Sequence, residues 1–533
     1  MISPHIQKIL DIAKSAHVPD YLIPGPNEPR IEVGKLISHA AQYYEKARYA
    51  VDYKEEHLLR RTAIERILRR RLTSAYNIEK NGESLVHELI QAGYIPNGEL
   101  PESIIGKIQN IIDKIVLLAS LIRRNNPEEK RLDYERKLIS LATSEIEDFL
   151  FPTPIDEATV DAYYNTIKNH VEINDSGLSV SELEIQIYLA CRRGLLKNDD
   201  DTIFYRLWLM HYPQWSSINN DASDNTDDLS HIANEFIEVT ELIQEQINHP
   251  LHQRLVPKLK NDSIYFSFIR IAIDEHKEHA GDLFAEEGSL TAELRRYIYE
   301  TYKREDNKVR KSAWRAVIYI LITKIILAFA IELPYDAIIL KQVNHVALGI
   351  NVVFHPLLLI AMTRSIHIPK DENTARIIEG VKNIIYNGGR EPVRMKAKRS
   401  RGILTYIAFI LYFALFLASF GFVIFMLRKI GFNIIGIGLF LLFLTFVSYF
   451  GLRIRFNARR WIVNTNDEKF LPFLWDLFTL PIITLGRWLS IKFESINIFV
   501  FILDFIIETP FKMVLHFLDQ FSKFIKEKKD EFY

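Results

Sequence analysis

The sequence predicts an all-α protein, in which an N-terminal cytoplasmic helical domain is followed by a C-terminal polytopic transmembrane domain. Two observations support this fold class. Charged residues fill positions 1 to 315, whereas long apolar runs crowd into positions 316 to 520. In the first part, apolar residues recur every three or four positions, which is the period of a helix, and strand-like alternation is scarce.

Composition narrows the function classes. The 533 residues are enough for two or three domains. The net charge of -1 gives no reason to expect a nucleic-acid partner. Cys191 is the single cysteine, which excludes an intrachain disulfide and a cysteine-based metal site and fits a reducing compartment. Lys8, Asp11 and Lys14 interrupt the first apolar residues, so the start is not expected to be a secretory signal.

The N-terminal part is expected to contain many helices. The clearest covers residues 102 to 122, and Pro101 stands just before it, where a helix start tolerates proline. A second long helix is expected over about 32 to 73. Further helices are expected near 131–150, 158–171, 180–193, 230–247, 263–279 and 289–307. A proline-rich break at 151 to 154 suggests two subdomains, residues 1–151 and 152–312.

The predicted helix at 289–307 runs almost directly into the first long apolar segment. No Gly/Ser or proline linker separates the two. We therefore expect a stiff connection between the soluble domain and the membrane.

Four transmembrane helices are expected within residues 313–452, at about 316–333, 345–363, 402–427 and 432–452. Each approaches the roughly 20 apolar residues that cross a bilayer. The last two carry no formal charge over most of their length and should form an antiparallel hairpin. Lys324 lies in the middle of the first. Its insertion cost of about 3 kcal/mol is outweighed by roughly 5 kcal/mol from the surrounding apolar side chains.

Basic residues predict the orientation. Lys and Arg cluster before the first span, between the second and third, and after the fourth. By the positive-inside rule these three regions are cytoplasmic. The prediction is a multi-pass protein of the plasma membrane with both termini in the cytoplasm.

The C-terminal region, residues 453–533, allows two interpretations. It contains two amphipathic segments, near 470–486 and 496–518, each interrupted by proline. Asp504, Glu508 and Lys512 recur every four residues and form a polar stripe beside an apolar face. The segments are either two further spans or helices lying at the membrane interface.

A basic block adjoins the third span and is a candidate for contact with anionic lipid headgroups. Its members are Arg390, Arg394, Lys396, Lys398, Arg399 and Arg401. An amphipathic helix is expected just before it, over residues 371–386. That helix is expected either on the inner leaflet or on the soluble domain.

An arginine-rich run occupies residues 58 to 73. It is interpreted as a solvated helix face paired with acidic residues such as Glu65, in preference to an anion-, lipid- or RNA-binding face. The chain contains no GxxxxGK[ST], HExxH, GxSxG or CxxC motif, so those catalytic routes have no support. We expect no metal and no cofactor.

The strongest functional candidates are polar residues within the apolar segments. They are Lys324, Glu332, Asn351, His355, Asp476, Asp504, Glu508 and Lys512. Ionisable groups at membrane depth are costly and favour a functional hypothesis. The alternative is structural pairing, for example of Lys324 with Asp476 or Asp504.

The leading hypothesis is a non-enzymatic membrane scaffold or interaction protein, with a homo-oligomer or a protein partner bound through the helical domain. The alternative is an ion or proton channel or transporter that uses the buried polar residues. The sequence identifies no cargo and no partner.

Overall fold

The computed structural model describes residues 2–15, 19–34, 38, 41–42, 45, 56–73, 81–125, 131–174, 177–218, 225–364, 371–387, 393–396, 403–463 and 470–495. These residues are overwhelmingly helical, which confirms the predicted all-α class. Within them, the strands Val171–Asn174 (β1) and Val393–Lys396 (β2) form one short parallel pair.

Thirteen α-helices of the N-terminal part have their bounds within the described ranges. They are α1 (Pro4–Ser15), α2 (Glu56–Thr73), α3 (Asn81–Gln91), α4 (Ser103–Asn125), α5 (Arg131–Leu150), α6 (Pro154–Ile167), α7 (Val180–Leu195), α8 (Asp200–His211), α9 (Asn225–Asn248), α10 (Pro250–Lys258), α11 (Lys260–His276), α12 (Ala280–Ala285) and α13 (Glu287–Leu327). The predicted helix at 102–122 is α4. Of the helix predicted at 32–73, the structure describes the C-terminal part as α2, and most of residues 35–55 lie outside the described ranges.

The C-terminal part contains α14 (His345–Arg364), α15 (Asp371–Lys382), α16 (Ile403–Ile430), α17 (Ile434–Ala458) and α18 (Phe470–Ser495). Among the described residues, α14, α16, α17 and the continuous helix that includes α13 are long and apolar enough to cross a membrane. They match the four predicted segments. We refer to them below as the apolar helices.

The first apolar helix continues a helix of the N-terminal part without a break. α13 has 41 residues, about 60 Å of α-helix. Beyond Leu327 the helix continues through two π-helical stretches, Ala328–Glu332 and Tyr335–Leu340. Pro334 lies between them, and its missing N–H removes one regular helical hydrogen bond. The absence of a linker, expected from the sequence, is therefore also found in the structure.

One hydrophobic cluster fills the N-terminal part, from Ile6 in α1 to Tyr302 in α13. Residues on both sides of position 152 belong to it, while the division into two subdomains stays a prediction. The cluster also includes side chains from beyond the first apolar helices, namely Ile377, Ile378, Val381, Ile385, Trp461 and Val463. Parts of the segment between α14 and α16, and of the segment after α17, are thus packed in the N-terminal core.

α15, which corresponds to the amphipathic helix expected at 371–386, packs on the N-terminal helices. Of the two positions expected for it, the inner leaflet or the soluble domain, this is the second. Gly380 permits this close approach, because an added Cβ would overlap the ring of Tyr265, 2.6 Å from Cε2. After α15, the Tyr386 hydroxyl donates to the Phe284 carbonyl at 2.8 Å. The Ser3 amide donates to the Ile385 carbonyl at 2.7 Å.

α18 packs along α17 and also contacts α16. Ile482 joins Phe440 and Leu444 of α17 in a hydrophobic cluster. Gly486 faces Thr445, near the middle of α17, and an added Cβ there would overlap the Thr445 carbonyl. α18 therefore lies beside the middle of an apolar helix and not only at its end.

Candidate functional site

Four polar side chains gather between α13, α14 and α17 and are buried from both solvent and the apolar exterior. Lys324, Glu332, Asn351 and His355 are each at most 3% exposed. All four were singled out from the sequence as polar residues in apolar segments. Their mutual contacts, however, were not predictable from the sequence.

Asn351 bridges a cation and an anion. The Lys324 Nζ donates to Asn351 Oδ1 at 2.6 Å. The Asn351 Nδ2 donates to the Glu332 carboxylate, at 2.9 Å from Oε1 and 2.8 Å from Oε2. An amide suits this position because its oxygen accepts and its nitrogen donates, so that the two charges orient it. A buried ammonium and a buried carboxylate thereby compensate one another through one side chain.

Glu332 reaches this position at the end of a π-helical stretch, Ala328–Glu332. Such widened turns within α-helices are frequent at functional sites. Its Oε1 lies against Gly436 of α17, where an added Cβ would come within 2.7 Å of it. Gly436 therefore leaves room for the carboxylate.

The Lys324 ammonium has a second contact, the face of the Phe443 ring, with 4.3 Å between Nζ and the ring centroid. A cation over an aromatic face is attracted by the ring quadrupole, and more strongly where water is excluded. The lysine is thus held by α14 and by α17 at once.

His355 lies one turn after Asn351 and contacts two backbone carbonyls. Its Nε2 is 3.0 Å from the Phe440 oxygen, and its Nδ1 is 3.2 Å from the Asn351 oxygen. A neutral imidazole carries one N–H and can donate to only one of them, whereas a protonated ring can donate to both. Phe440 and Phe443 pack against the ring, with centroids at 4.6 and 5.9 Å.

Further polar contacts lie at the start of α17. Asn433 donates to the Asp336 carboxylate, and its own Oδ1 accepts from the Gly436 amide at 2.6 Å, which caps α17. Sequence reasoning did not single out Asp336 or Asn433. For Asn433, the available signal was its position directly before an apolar run, where a helix-capping residue is common.

The remaining predicted site residues are not brought into this cluster by the described contacts. Asp476 lies on α18, but its side chain is outside the described part. Asp504, Glu508 and Lys512 lie outside the described residues altogether. The pairing of Lys324 with Asp476 or Asp504 stays a prediction, beside its observed bond to Asn351.

The basic block is described only at β2. There Arg394 lies opposite Glu172 and Lys396 opposite Asn174 in the parallel pair with β1. Arg390, Lys398, Arg399 and Arg401 lie outside the described residues. Contact of the block with lipid headgroups stays a prediction.

The arginine-rich helix α2 makes ion pairs mainly with other helices. Arg61, which is buried, pairs with Asp199 at 2.8 Å, and Arg71 pairs with Glu88 at 3.0 Å. Arg69 pairs with Glu65 one turn earlier at 2.5 Å, as expected from the spacing. Much of this basic run therefore joins neighbouring helices.

No protein-family model, curated protein or solved structure matches this chain. The chemistry of the site must therefore be inferred from its geometry. Within the described ranges, no three His, Cys, Asp or Glu residues are grouped so that they could hold a metal ion. The cluster of Lys324, Glu332, Asn351 and His355 is suited to balancing buried charge or to accepting and releasing a proton.

Proposed function

We propose that this chain is an integral membrane protein that acts as a non-enzymatic scaffold and holds a large helical domain at a membrane surface. The apolar helices expose large hydrophobic side chains, such as Phe329, Phe409 and Ile410. Contiguous exposed apolar surface of this kind is unfavourable in water and favourable in lipid.

One observation carries the scaffold proposal: the helical domain is joined to the apolar helices through three parts of the chain. α13 runs through both parts as one helix. α15 packs in the N-terminal core, and so does the segment after α17. There the Trp461 ring lies 5.1 Å from that of Phe268, and Asn373 donates to the Trp461 carbonyl at 2.9 Å. Three attachments restrict relative motion, which suits a scaffold better than a transporter that rocks between states.

The proposal includes an orientation. The three attachments adjoin basic segments, which favours the cytoplasmic side of the plasma membrane for the helical domain and for both termini. Anionic lipids of the inner leaflet are the partners expected for the basic block. The helical domain would then present its surface to a second copy of the chain or to another protein.

The alternative function is proton or ion transport. The observation that favours it is the buried set of Lys324, Asn351 and Glu332 beside a π-helical stretch. Ionisable residues inside apolar helices often mark ion pathways.

A flux assay separates the two proposals. The purified chain is reconstituted into liposomes with an internal pH dye, and proton and sodium flux are compared with those of empty vesicles. Glu332→Gln is tested beside Glu300→Gln, a change at an exposed position of the same helix.

The scaffold proposal expects flux at the level of empty vesicles for all three proteins. It also expects a single narrow distance between spin labels at the exposed positions Val180 and Ile434, unchanged by an imposed gradient. Flux that Glu332→Gln abolishes and Glu300→Gln leaves intact would establish transport instead.

A further inference from the structure

A polar cavity of about 640 Å³ lies within the helical domain, away from the polar cluster of the apolar helices. Its walls come from α2, α5, α6, α7, α8 and α11, and from Arg460 after α17. This volume falls in the range of pockets that bind small molecules, roughly 300–1,000 Å³.

The lining is unusually rich in charge. It contains six basic residues, Arg60, Arg192, Lys197, Arg206, Arg270 and Arg460, and five acidic ones, Glu147, Asp148, Asp156, Glu157 and Asp274. The carboxylates among them remain partly exposed, for example Glu157 at 31% and Asp148 at 33%. Partly exposed ion pairs contribute little to stability, so a lining of this kind is suited to a polar, charged ligand.

Several of these arginines are held in fixed orientations by carboxylates. Arg192 binds Glu157 through two hydrogen bonds, at 2.6 and 2.9 Å. Arg206 binds Asp148 at 2.6 and 3.2 Å. Such forked pairs leave the guanidinium groups preorganised at the cavity wall.

Arg60 is held differently. Its guanidinium carbon lies 3.9 Å from the centroid of the Phe151 ring, and its Nη2 is 3.6 Å from the Glu147 carboxylate, beyond hydrogen-bond distance. Among the described residues no hydrogen bond uses this guanidinium. Stacking fixes its plane while its N–H donors stay available to a ligand.

The charge balance favours an anion. Six cations face five carboxyl groups, and burial raises the pKa of Glu147 to about 7. That carboxyl therefore carries less than a full negative charge at neutral pH, which leaves the lining with a net positive charge. In addition, Thr153, the N-cap of α6, lines the cavity without making a side-chain capping bond.

We propose that this cavity binds a small phosphorylated metabolite, with the phosphate at Arg60 and the hydroxyl or amino groups of the remainder at the carboxylates. A guanidinium matches a phosphate with two parallel N–H donors. A bare phosphate is far smaller than the cavity, so the ligand carries a polar body as well.

The site adjoins the connection to the apolar helices. Arg460 lies between Arg459, whose carbonyl accepts from Lys260 at 3.1 Å, and Trp461, which belongs to the N-terminal core. A ligand that fills the cavity would therefore lie beside the segment that leaves α17.

Calorimetric titration of the full chain in detergent, without phospholipid, tests the proposal. The probes are ribose 5-phosphate, glucose 6-phosphate and adenosine monophosphate, each with its dephosphorylated counterpart as control. We expect at least one phosphorylated probe to bind with a Kd below about 1 mM and its counterpart to bind at least about tenfold more weakly, because a charge-assisted contact is lost.

Variants locate the site. Arg60→Ala should raise the Kd about tenfold or more. Arg69→Ala, on the same helix but outside the cavity and half exposed, should leave it unchanged. Should Arg60→Ala not fold, Arg60→Lys keeps the charge but loses the planar fork, and should also weaken binding.

Three results would overturn the proposal. One is the absence of binding for all three phosphorylated probes, and another is equal weakening by the Arg60 and Arg69 variants. The third is displacement of the probe by phosphatidylglycerol in mixed micelles with the detergent, which would assign the arginines to a lipid headgroup.

Discussion

Gly486 provides a sharp test of how α18 packs against α17. An added methyl group would overlap the Thr445 carbonyl oxygen and would lie 2.8 Å from the Thr445 carbonyl carbon and 2.9 Å from Tyr449 Cβ. Carbon atoms in contact normally stay about 3.5–4.0 Å apart. Because the nearest obstacle is backbone, Gly486→Ala requires α18 to move away by roughly 1 Å.

The expected size of the effect follows from two opposing terms. Overpacking typically costs about 1–3 kcal/mol, whereas alanine is favoured over glycine in a helix by about 1 kcal/mol. Because the obstacle is backbone, which cannot rotate away, we take the upper part of the overpacking range, about 2–3 kcal/mol. The net loss at this contact is then about 1–2 kcal/mol, which corresponds to about five- to thirty-fold more frequent opening.

Hydrogen–deuterium exchange of the detergent-solubilised chain measures this opening in peptides from residues 477–495. Gly438→Ala is the matched control, since an added Cβ there has nothing within 4 Å. It should leave exchange in this region unchanged. Equal exchange rates in the two variants would show that α18 does not pack against Thr445, and its position beside the middle of α17 would be wrong.

Three further predictions concern the polar cluster, the connection after α17 and the helical domain. Asn351→Leu leaves Lys324 and Glu332 buried without their bridge and should lower the free energy of unfolding by about 3–5 kcal/mol. Thermal unfolding in detergent should show that stability is partly recovered when Lys324→Met and Glu332→Gln are added to this variant. If stability is not recovered, Asn351 does not act as the bridge. Trp461→Ala removes a ring that is 8% exposed and should cost about 3–5 kcal/mol, while Trp488→Ala, at a 56% exposed position, should cost little in the same assay. Burial lowers the pKa of His252 to about 4, with the charge of Arg193 as a second cause. In the unfolded chain the imidazole binds its proton near pH 6.5. The contribution of the neutral His252 to the free energy of unfolding should therefore be fully present above pH 6.5 and should decrease by at most about 3 kcal/mol as the pH falls towards 4. Urea unfolding across that range should show a flatter profile for His252→Gln but not for the exposed His231→Gln, and identical slopes would contradict the assignment.

Local patterns in the sequence were sufficient for the fold class and for the apolar helices. Helical spacing of apolar residues is a property of neighbouring positions, so α4, α5 and α7 could be predicted to within a few residues. The length of an apolar run is equally local, which is why the four candidate spans were found. Short helices such as α3 and α10, with 11 and 9 residues, were missed because two or three turns contain too few periods.

The four members of the polar cluster were singled out from the sequence, since a polar side chain within an apolar run is conspicuous, but together with Asp476, Asp504, Glu508 and Lys512, for which the described contacts show no place in it. Its connectivity was not visible. Lys324, Glu332 and Asn351 lie on two different helices, and their contact depends on the register in which α13 and α14 pack. The sequence suggested other partners for Lys324, because many acidic residues were equally compatible with it.

By itself, the sequence determined the fold class, most of the longer helices and the segments that are apolar enough for a membrane, because these properties follow from residues a few positions apart. Only the tertiary structure decided that α15 and Trp461 belong to the N-terminal core, that Asn351 joins Lys324 to Glu332, and that charges from six helices surround one cavity. These contacts join residues distant in the chain. Their energies depend on how whole helices pack, and no local pattern encodes that.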